Sequence, residues 1–296
     1  MKKQPRVCVV GSINMDLVTT TKKMPEQGET ILGEDFATYP GGKGANQAIA
    51  AARLGADVYM IGAVGDDAFG RTLRTHFEKE GVLSNGIEAF GDISTGIATI
   101  ILSENDNRII VAAGANKEVT PDYIESKLEI ILNSDIILLQ FEIPMETIEY
   151  VVNVADEHHI PVIVNPAPFH TMPENLLQGA TYFTPNEIEL LAMSKMASFD
   201  SVREKMIVTK GEKGVQFWKD GEKTVDSHKV PVKDTTGAGD TFNGALAVEL
   251  AAGKPLEEAV KLANASAALS ITKLGAQGGM PTRSEVEHFL SKNNIN

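Results

Sequence analysis

Two features of the chain predict an α/β fold with a doubly wound, mostly parallel sheet, and a third predicts a small β-sheet lid. Short β-branched apolar runs alternate with amphipathic helical patterns along most of the 296 residues. The runs are apolar at nearly every position, as strands covered on both faces require. Residues about 13–40 and about 94–113 break this rhythm with strand-like patterns and turn residues.

The predicted buried strands are 7–11, 58–62, 135–140, 162–165, 181–184 and 206–209. A helix over 45–54 ends at Gly55, a residue suited to the left-handed turn that closes a helix. Thr120 and Pro121 supply a cap and a first helical residue, with Ile124, Leu128, Ile131 and Leu132 following on one face. Ile148, Val151, Val152 and Ala155 make a second such face. Within the second irregular segment, 96–102 and 108–112 read as a hairpin around Glu104-Asn105-Asp106-Asn107. Such a flap would exclude water, the rival nucleophile in group transfer; the alternative is a plain edge hairpin. One domain over 1–296 is expected, with the lid strands inserted in it.

Composition narrows the function. The chain is 43% hydrophobic and 23% charged, an ordinary globular balance. A net charge of −13 with no basic stripe argues against nucleic acid as a partner. The same charge repels phosphates, so any phosphate must be held by local devices such as loop amides, helix starts, a lysine or a metal. The longest apolar runs, such as Ile136-Ile137-Leu138-Leu139, are too short to span a bilayer. No secretory signal precedes the first strand, and the lone Cys8 fits a reducing compartment, so a cytoplasmic protein is expected.

Asp234-Thr235-Thr236-Gly237-Ala238-Gly239-Asp240-Thr241-Phe242 is the strongest chemical signal. Glycines before a long apolar helix, 241 to about 252, let backbone amides face a ligand, and the helix dipole adds positive potential. Gly237, Ala238 and Gly239 can therefore shape an anion hole for a transferring phosphoryl group. Asp240, at its mouth, is placed to accept a proton from an attacking hydroxyl. The helix start is expected to keep it ionised, a weak base adequate where positioning and charge stabilisation dominate. The competing reading is a simple helix cap.

Weaker signals cluster at the same sheet edge. Gly41-Gly42-Lys43-Gly44-Ala45-Asn46 opens a helix without matching a Walker A motif. Asn14 and Asp16 follow the first strand and can grip vicinal hydroxyls. Glu142 stands just past another strand. Asn186-Glu187-Ile188-Glu189 follows a third, where a carboxylate can help organise hydrated Mg²⁺. Thr209-Lys210-Gly211-Glu212-Lys213-Gly214 is a glycine-rich turn able to face a nucleotide. The chain has no zinc-like Cys/His cluster, no Gly-x-Ser-x-Gly elbow, and no dinucleotide fingerprint after the first strand.

These motifs resemble the ribokinase family, of the phosphofructokinase-B type, over nearly the whole chain. Residues 41–46 resemble its N-terminal signature and 234–242 its C-terminal one. Gly11-Ser12-Ile13-Asn14-Met15-Asp16, Asn165-Pro166-Ala167-Pro168 and Gly275-Ala276-Gln277 resemble most its ribose-phosphorylating members. The resemblance implies a ribokinase-like fold and phosphorylation of ribose at its 5-hydroxyl by ATP, with Asp240 as catalytic base. It implies Asn14, Asp16, Gly42, Lys43, Asn46 and Glu142 as sugar ligands. Asn186, Thr209, Lys210, Gly211, Glu212, Lys213, Gly214, Gly239 and Asn264 would line the ATP site, and Glu189 would serve Mg²⁺ indirectly. K⁺ would be held by Asp234, Thr236, Ser270, Lys273, Gly275 and Gly279, largely through carbonyls. A homodimer through the lid is also implied. Sibling kinases for fructose, a deoxy-keto acid or a nucleoside are the near alternatives; a non-catalytic sugar-binding regulator is the distant one. The stretch between Asn186 and Thr209 is shorter than the family's usual helix and strand. It is either a true deletion or lacks residues, and the intact flanking motifs favour the second.

Overall fold

The computed structural model describes residues 4–103 and 106–292. In chain order the first half runs β1 (Arg6–Val10), β2 (Asn14–Thr20), β3 (Asp35–Gly41), α1 (Lys43–Arg53), β4 (Asp57–Gly65), α2 (Ala68–Lys79), β5 (Leu83–Phe90), β6 (Gly96–Ser103), β7 (Asp106–Ala112), α3 (Pro121–Glu125), α4 (Leu128–Leu132) and β8 (Ile136–Gln140). The second half runs α5 (Met145–Glu157), β9 (Val162–Asn165), α6 (Glu174–Gly179), β10 (Tyr182–Phe183), α7 (Glu187–Met193), α8 (Phe199–Val202), β11 (Ile207–Thr209), β12 (Val215–Trp218), β13 (Glu222–Val225), α9 (Ala238–Ala251), α10 (Leu256–Ser270), α11 (Ala276–Gly279) and α12 (Arg283–Lys292).

Six strands form the central sheet in the order β10-β9-β8-β1-β4-β5, every pair parallel. The α/β class expected from the sequence is the one observed. Its strands are continuously apolar because both faces are covered. Val7 and Val9 of β1 point into a core shared with α1, α9, α10 and α12. Cys8 and Val10 point into a second core shared with α3 to α6. Ile136 and Leu138 divide from Ile137 and Leu139 in the same way.

Four strands form a second sheet, β3-β2-β6-β7, from the two segments that broke the helical rhythm. The pairing of β2 with β6 is parallel and the other two are antiparallel. Glu104 and Asn105 of the expected hairpin turn lie outside the described residues.

Local signals acted as expected at several points. Thr120 accepts from Tyr123 N to cap α3, Pro121 follows it, and Gly55 takes φ +94° after α1. Two expectations need correction. The single helix over 120–132 is two short helices, and Leu132 is 41% exposed rather than on the buried face. Residues 206–209 do not join the parallel sheet as a full strand. Met206 and Thr209 make single parallel bridges to Phe183 and Asn186, while β11 pairs with antiparallel β12 and β13. Between Asn186 and β11 the chain runs through α7, α8 and one 3₁₀ turn. Among the described residues, no helix is long and apolar enough to cross a membrane.

Candidate active site

Most of the polar segments lie beyond the carboxyl ends of parallel strands. Glycines make the close approaches there. A Cβ on Gly44 would lie 2.7 Å from Gly11 C and Ser12 N, so only glycine lets α1 begin against the turn after β1. Gly42 takes φ +89°, and a Cβ on it would lie 2.8 Å from Asn14 N. The loop is tied down by Glu142, whose Oε2 accepts from Ser12 Oγ at 2.6 Å and from Lys43 N at 3.2 Å.

α9 begins one turn earlier than the sequence reading placed it. Its N-cap is Gly237, at φ 77° and ψ 3°, and no side chain caps it. Helix geometry leaves the amides of Gly239 and Asp240 without intrahelical partners. A Cβ on Gly239 would meet nothing within 4 Å, so the approach to these amides is bare. They border a cleft of about 160 Å³ that is also lined by Lys43, Asn165, Asn186, Glu189, Thr209 and Asp240.

Asp240 is 8% exposed and held from α1: Asn46 Nδ2 donates to Oδ2 at 2.9 Å and Gln47 Nε2 donates to Oδ1 at 3.0 Å. Burial pushes its pKa up, against Lys43, Gln47 and Asn46, with Glu142 adding to the rise. The shift runs opposite to the lowering that a helix start gives a carboxylate. Helix-start potential is worth a fraction of the penalty for taking a carboxylate out of water.

Lys43 is the positive centre. Burial works against its charge, but Asp240, Glu142, Glu189 and Asp16 together outweigh it and hold its pKa above the ordinary value. Burial, with Glu142 and Asp240 behind it, pushes Asp16 up to about 7, while Lys43 opposes. Glu189 is raised by burial against the Asn186 N–H and Lys43. It forms a reciprocal cap with Asn186: Asn186 N donates to Glu189 Oε2 at 2.9 Å and Glu189 N to Asn186 Oδ1 at 2.8 Å.

The structure thus brings together Asp16, Lys43, Asn46, Glu142, Glu189 and Asp240. Asn14 stands at the root of the second sheet, 2% exposed, its Oδ1 accepting from Asn116 Nδ2 at 2.7 Å. Of the candidate nucleotide residues, Asn186, Thr209 and Gly239 line the 160 Å³ cleft. Glu212, Gly214 and Asn264 gather around Asp226 and Ser227. Ser227 Oγ donates to Glu212 O, a Cβ on Gly214 would strike Val225 O, and Asn264 Nδ2 donates to Asp226 O at 2.8 Å. Asp226 and Ser227 help to line a larger cleft of about 640 Å³ between β13 and α10. Gly211 takes φ +54° in the turn. Lys210 and Lys213 turn away, to Gln216 and Glu187.

Of the residues expected at the cation site, Asp234 contacts Thr236 and Gly275, and Gly279 contacts Ser270. Asp234 Oδ2 accepts from Gly275 N at 2.8 Å, and its Oδ1 accepts from Thr236 N and Oγ1. Burial works against its charge, but these hydrogen bonds prevail and hold its carboxyl below the usual range. Gly279 packs directly on Ser270 O, whereas the Lys273 side chain pairs with Glu285.

The sequence reading missed Gln47, Gln140 and Asn116. Gln140 carried a usable signal, a glutamine at the end of an otherwise apolar strand. Gln47 and Asn116 carried none beyond adjacency to a motif or a turn.

The model of the pfkB family carbohydrate kinases matches residues 4–283. Bacillus subtilis ribokinase is 47% identical over 96% of this chain and 99% of its own. The Thermotoga maritima ribokinase structure superposes with a TM-score of 0.87 at 38% identity, covering 96% and 99% of the two chains. That of Arabidopsis thaliana ribokinase, complexed with ribose and ATP, does so at 0.90 and 32%, covering 97% and 99%. On this match, and on relatives aligned across nearly their whole length, the chain belongs to the pfkB family of carbohydrate kinases.

Proposed function

We propose that the chain is an ATP:D-ribose 5-phosphotransferase. The carrying observation is Asp240: a buried carboxylate in the first turn of an uncapped helix, sharing one cleft with Lys43. The names of its relatives point to the same acceptor. Asn14, Asp16, Gly42, Lys43, Asn46 and Glu142 surround the sugar. Because Asn116 occupies Asn14 Oδ1, Asn14 presents its N–H groups to a hydroxyl oxygen. Asp16 and Asp240 supply acceptors for hydroxyl protons.

As the 5-oxygen attacks the terminal phosphorus, Asp240 takes its proton, the bond to the β-phosphate oxygen breaks, and ADP leaves. The raised pKa of Asp240 makes it a better proton acceptor than an exposed aspartate. The free amides of Gly239 and Asp240, with Gly237 and Ala238 shaping the turn, stabilise charge on the moving group. ATP is held by Asn186, Thr209, Gly239 and the wall formed by residues 210–214 and Asn264.

Four carboxylates face one ammonium, so a triphosphate entering this site needs further positive charge. Glu189 would face a hydrated Mg²⁺, which when bound would supply that charge. K⁺, bound by oxygens of Asp234, Thr236, Ser270, Lys273, Gly275 and Gly279, would fix the turn that ends at Gly237. That turn already leans on this segment, since a Cβ on Gly237 would lie 2.9 Å from Ala276 Cα.

The chain works as a single ribokinase-like domain in the cytoplasm, with the four-stranded sheet as lid. Ile109, Ile110 and Val111 of β7 are exposed by 52%, 68% and 51%, and Phe36 and Tyr39 of β3 are also exposed. Such a surface supports a homodimer joined lid to lid.

A coupled ADP-release assay over ribose, 2-deoxyribose, fructose, a deoxy-keto acid and nucleosides, with Na⁺ or K⁺, tests the reading. Ribose should give the highest kcat/KM, and K⁺ should raise it. A preferred nucleoside or fructose would replace the acceptor. No ADP with any acceptor would leave only a sugar-binding protein.

A further inference from the structure

The Asp240 carboxylate is gripped by two amides, and each amide is itself pinned from behind by a glutamine. Gln277 Nε2 donates to Asn46 Oδ1 at 2.9 Å, and Gln140 Nε2 donates to Gln47 Oε1 at 2.7 Å. An amide whose oxygen is already engaged has only N–H to turn towards Asp240. Gln47 is fully specified in this way, because its Nε2 also donates to Asn165 Oδ1 at 3.2 Å.

Gln140 is the informative member. It ends an apolar strand, is fully buried, and lies over Gly11, where a Cβ would sit 2.0 Å from its Oε1. Among the described residues, that Oε1 has no hydrogen-bond partner. An orphaned buried carbonyl costs about 1–3 kcal/mol. An apolar residue would fill this space without that cost, so the glutamine is explained by its bond to Gln47.

We propose that Gln47 is a positioning residue for the catalytic base, and that Gln140 acts only through Gln47 by fixing which way its amide faces. The proposal rests on the phosphotransferase reading above. Neither residue is placed to touch the sugar or the nucleotide. Together they keep an N–H donor on Asp240 Oδ1, as Asn46 does on Oδ2, hold the carboxylate in one rotamer, and leave the remaining lone pairs for the attacking hydroxyl. α1 reaches Asp240 because Gly244 lets it close on α9, where a Cβ would lie 2.7 Å from Gln47 O and from Ala50 Cβ.

The test compares Gln47→Met, Gln140→Met and the double variant, each first checked for folding by thermal unfolding. The Asp240 carboxyl carbon is titrated by ¹³C NMR in ligand-free protein, with Asp240→Asn assigning the resonance. The pH dependence of kcat and sugar KM is measured alongside. Gln47→Met should raise the Asp240 midpoint by roughly one pH unit, as loss of one hydrogen bond to a charged group implies. The acid limb of kcat should move with it, and kcat should fall about tenfold or more with sugar KM nearly unchanged. Gln140→Met should shift both in the same direction by less, and should add nothing in the Gln47→Met background. An unmoved Asp240 titration in Gln47→Met, or additive effects in the double variant, would overturn the proposal. If Gln47→Met does not fold, the titration in Gln140→Met decides by the same criterion. Wild-type protein inactive on ribose would sink the ribose reading instead and leave the titration to judge the clamp.

Discussion

Asn46 Nδ2 lies 2.9 Å from Asp240 Oδ2, across 194 residues of chain. This hydrogen bond joins the first turns of two helices, α1 and α9, whose glycine-flanked starts border one pocket. It makes the two sequence motifs parts of a single device.

Replacing Asp240 by Asn should lower kcat by about 10²–10⁴, the usual scale for a general base. The new amide places an NH₂ where Asn46 or Gln47 already donates, so one of them must turn away. Sugar binding, read by calorimetry without ATP, should survive. Near-normal turnover in Asp240→Asn would remove this residue from the chemistry.

Asp16 should make ligand-free stability and sugar affinity respond to pH in opposite directions. Its folded pKa of about 7 exceeds the ordinary 3.8, so the folded protein keeps a proton that the unfolded chain has lost. The stability it contributes is complete below pH about 4 and disappears as pH rises through about 7. The Tm should therefore fall between pH 5 and 8, and Asp16→Asn should flatten that slope. Sugar hydroxyls need the ionised acceptor, so affinity should weaken on the order of tenfold per pH unit below about 7. Calorimetric titrations across this range check it.

Gly244→Val should loosen the α1–α9 contact. Overpacking of this kind costs about 1–3 kcal/mol, measurable by urea unfolding. Turnover should fall with stability, because Asn46 and Gln47 would be pushed from Asp240. A destabilised variant with unchanged kcat would separate the packing from the clamp.

Ile110→Asp should convert a dimer to a monomer in sedimentation velocity runs, since it puts a charge in the middle of exposed β7. A dimer that persists in Ile110→Asp would place its interface elsewhere.

The sequence by itself determined the local pieces. Apolar runs covered on both faces, Thr120 as a cap, Gly55 as a helix stop and the glycines of the two motifs are all set within a few residues of chain, so their spacing reveals them. It also put the chemistry at one sheet edge, because parallel strands carry their loops there. Only the tertiary structure decided what surrounds each functional group. Gln47 and Asn46 reach Asp240 from 193 and 194 residues away, Gln140 reaches Gln47 from 93, and Met206 bridges to Phe183 without joining a full parallel strand. The protonation of Asp240 belongs to the same class. Its helix start is visible in the sequence, but the burial that outweighs it is a sum over neighbours brought together by folding.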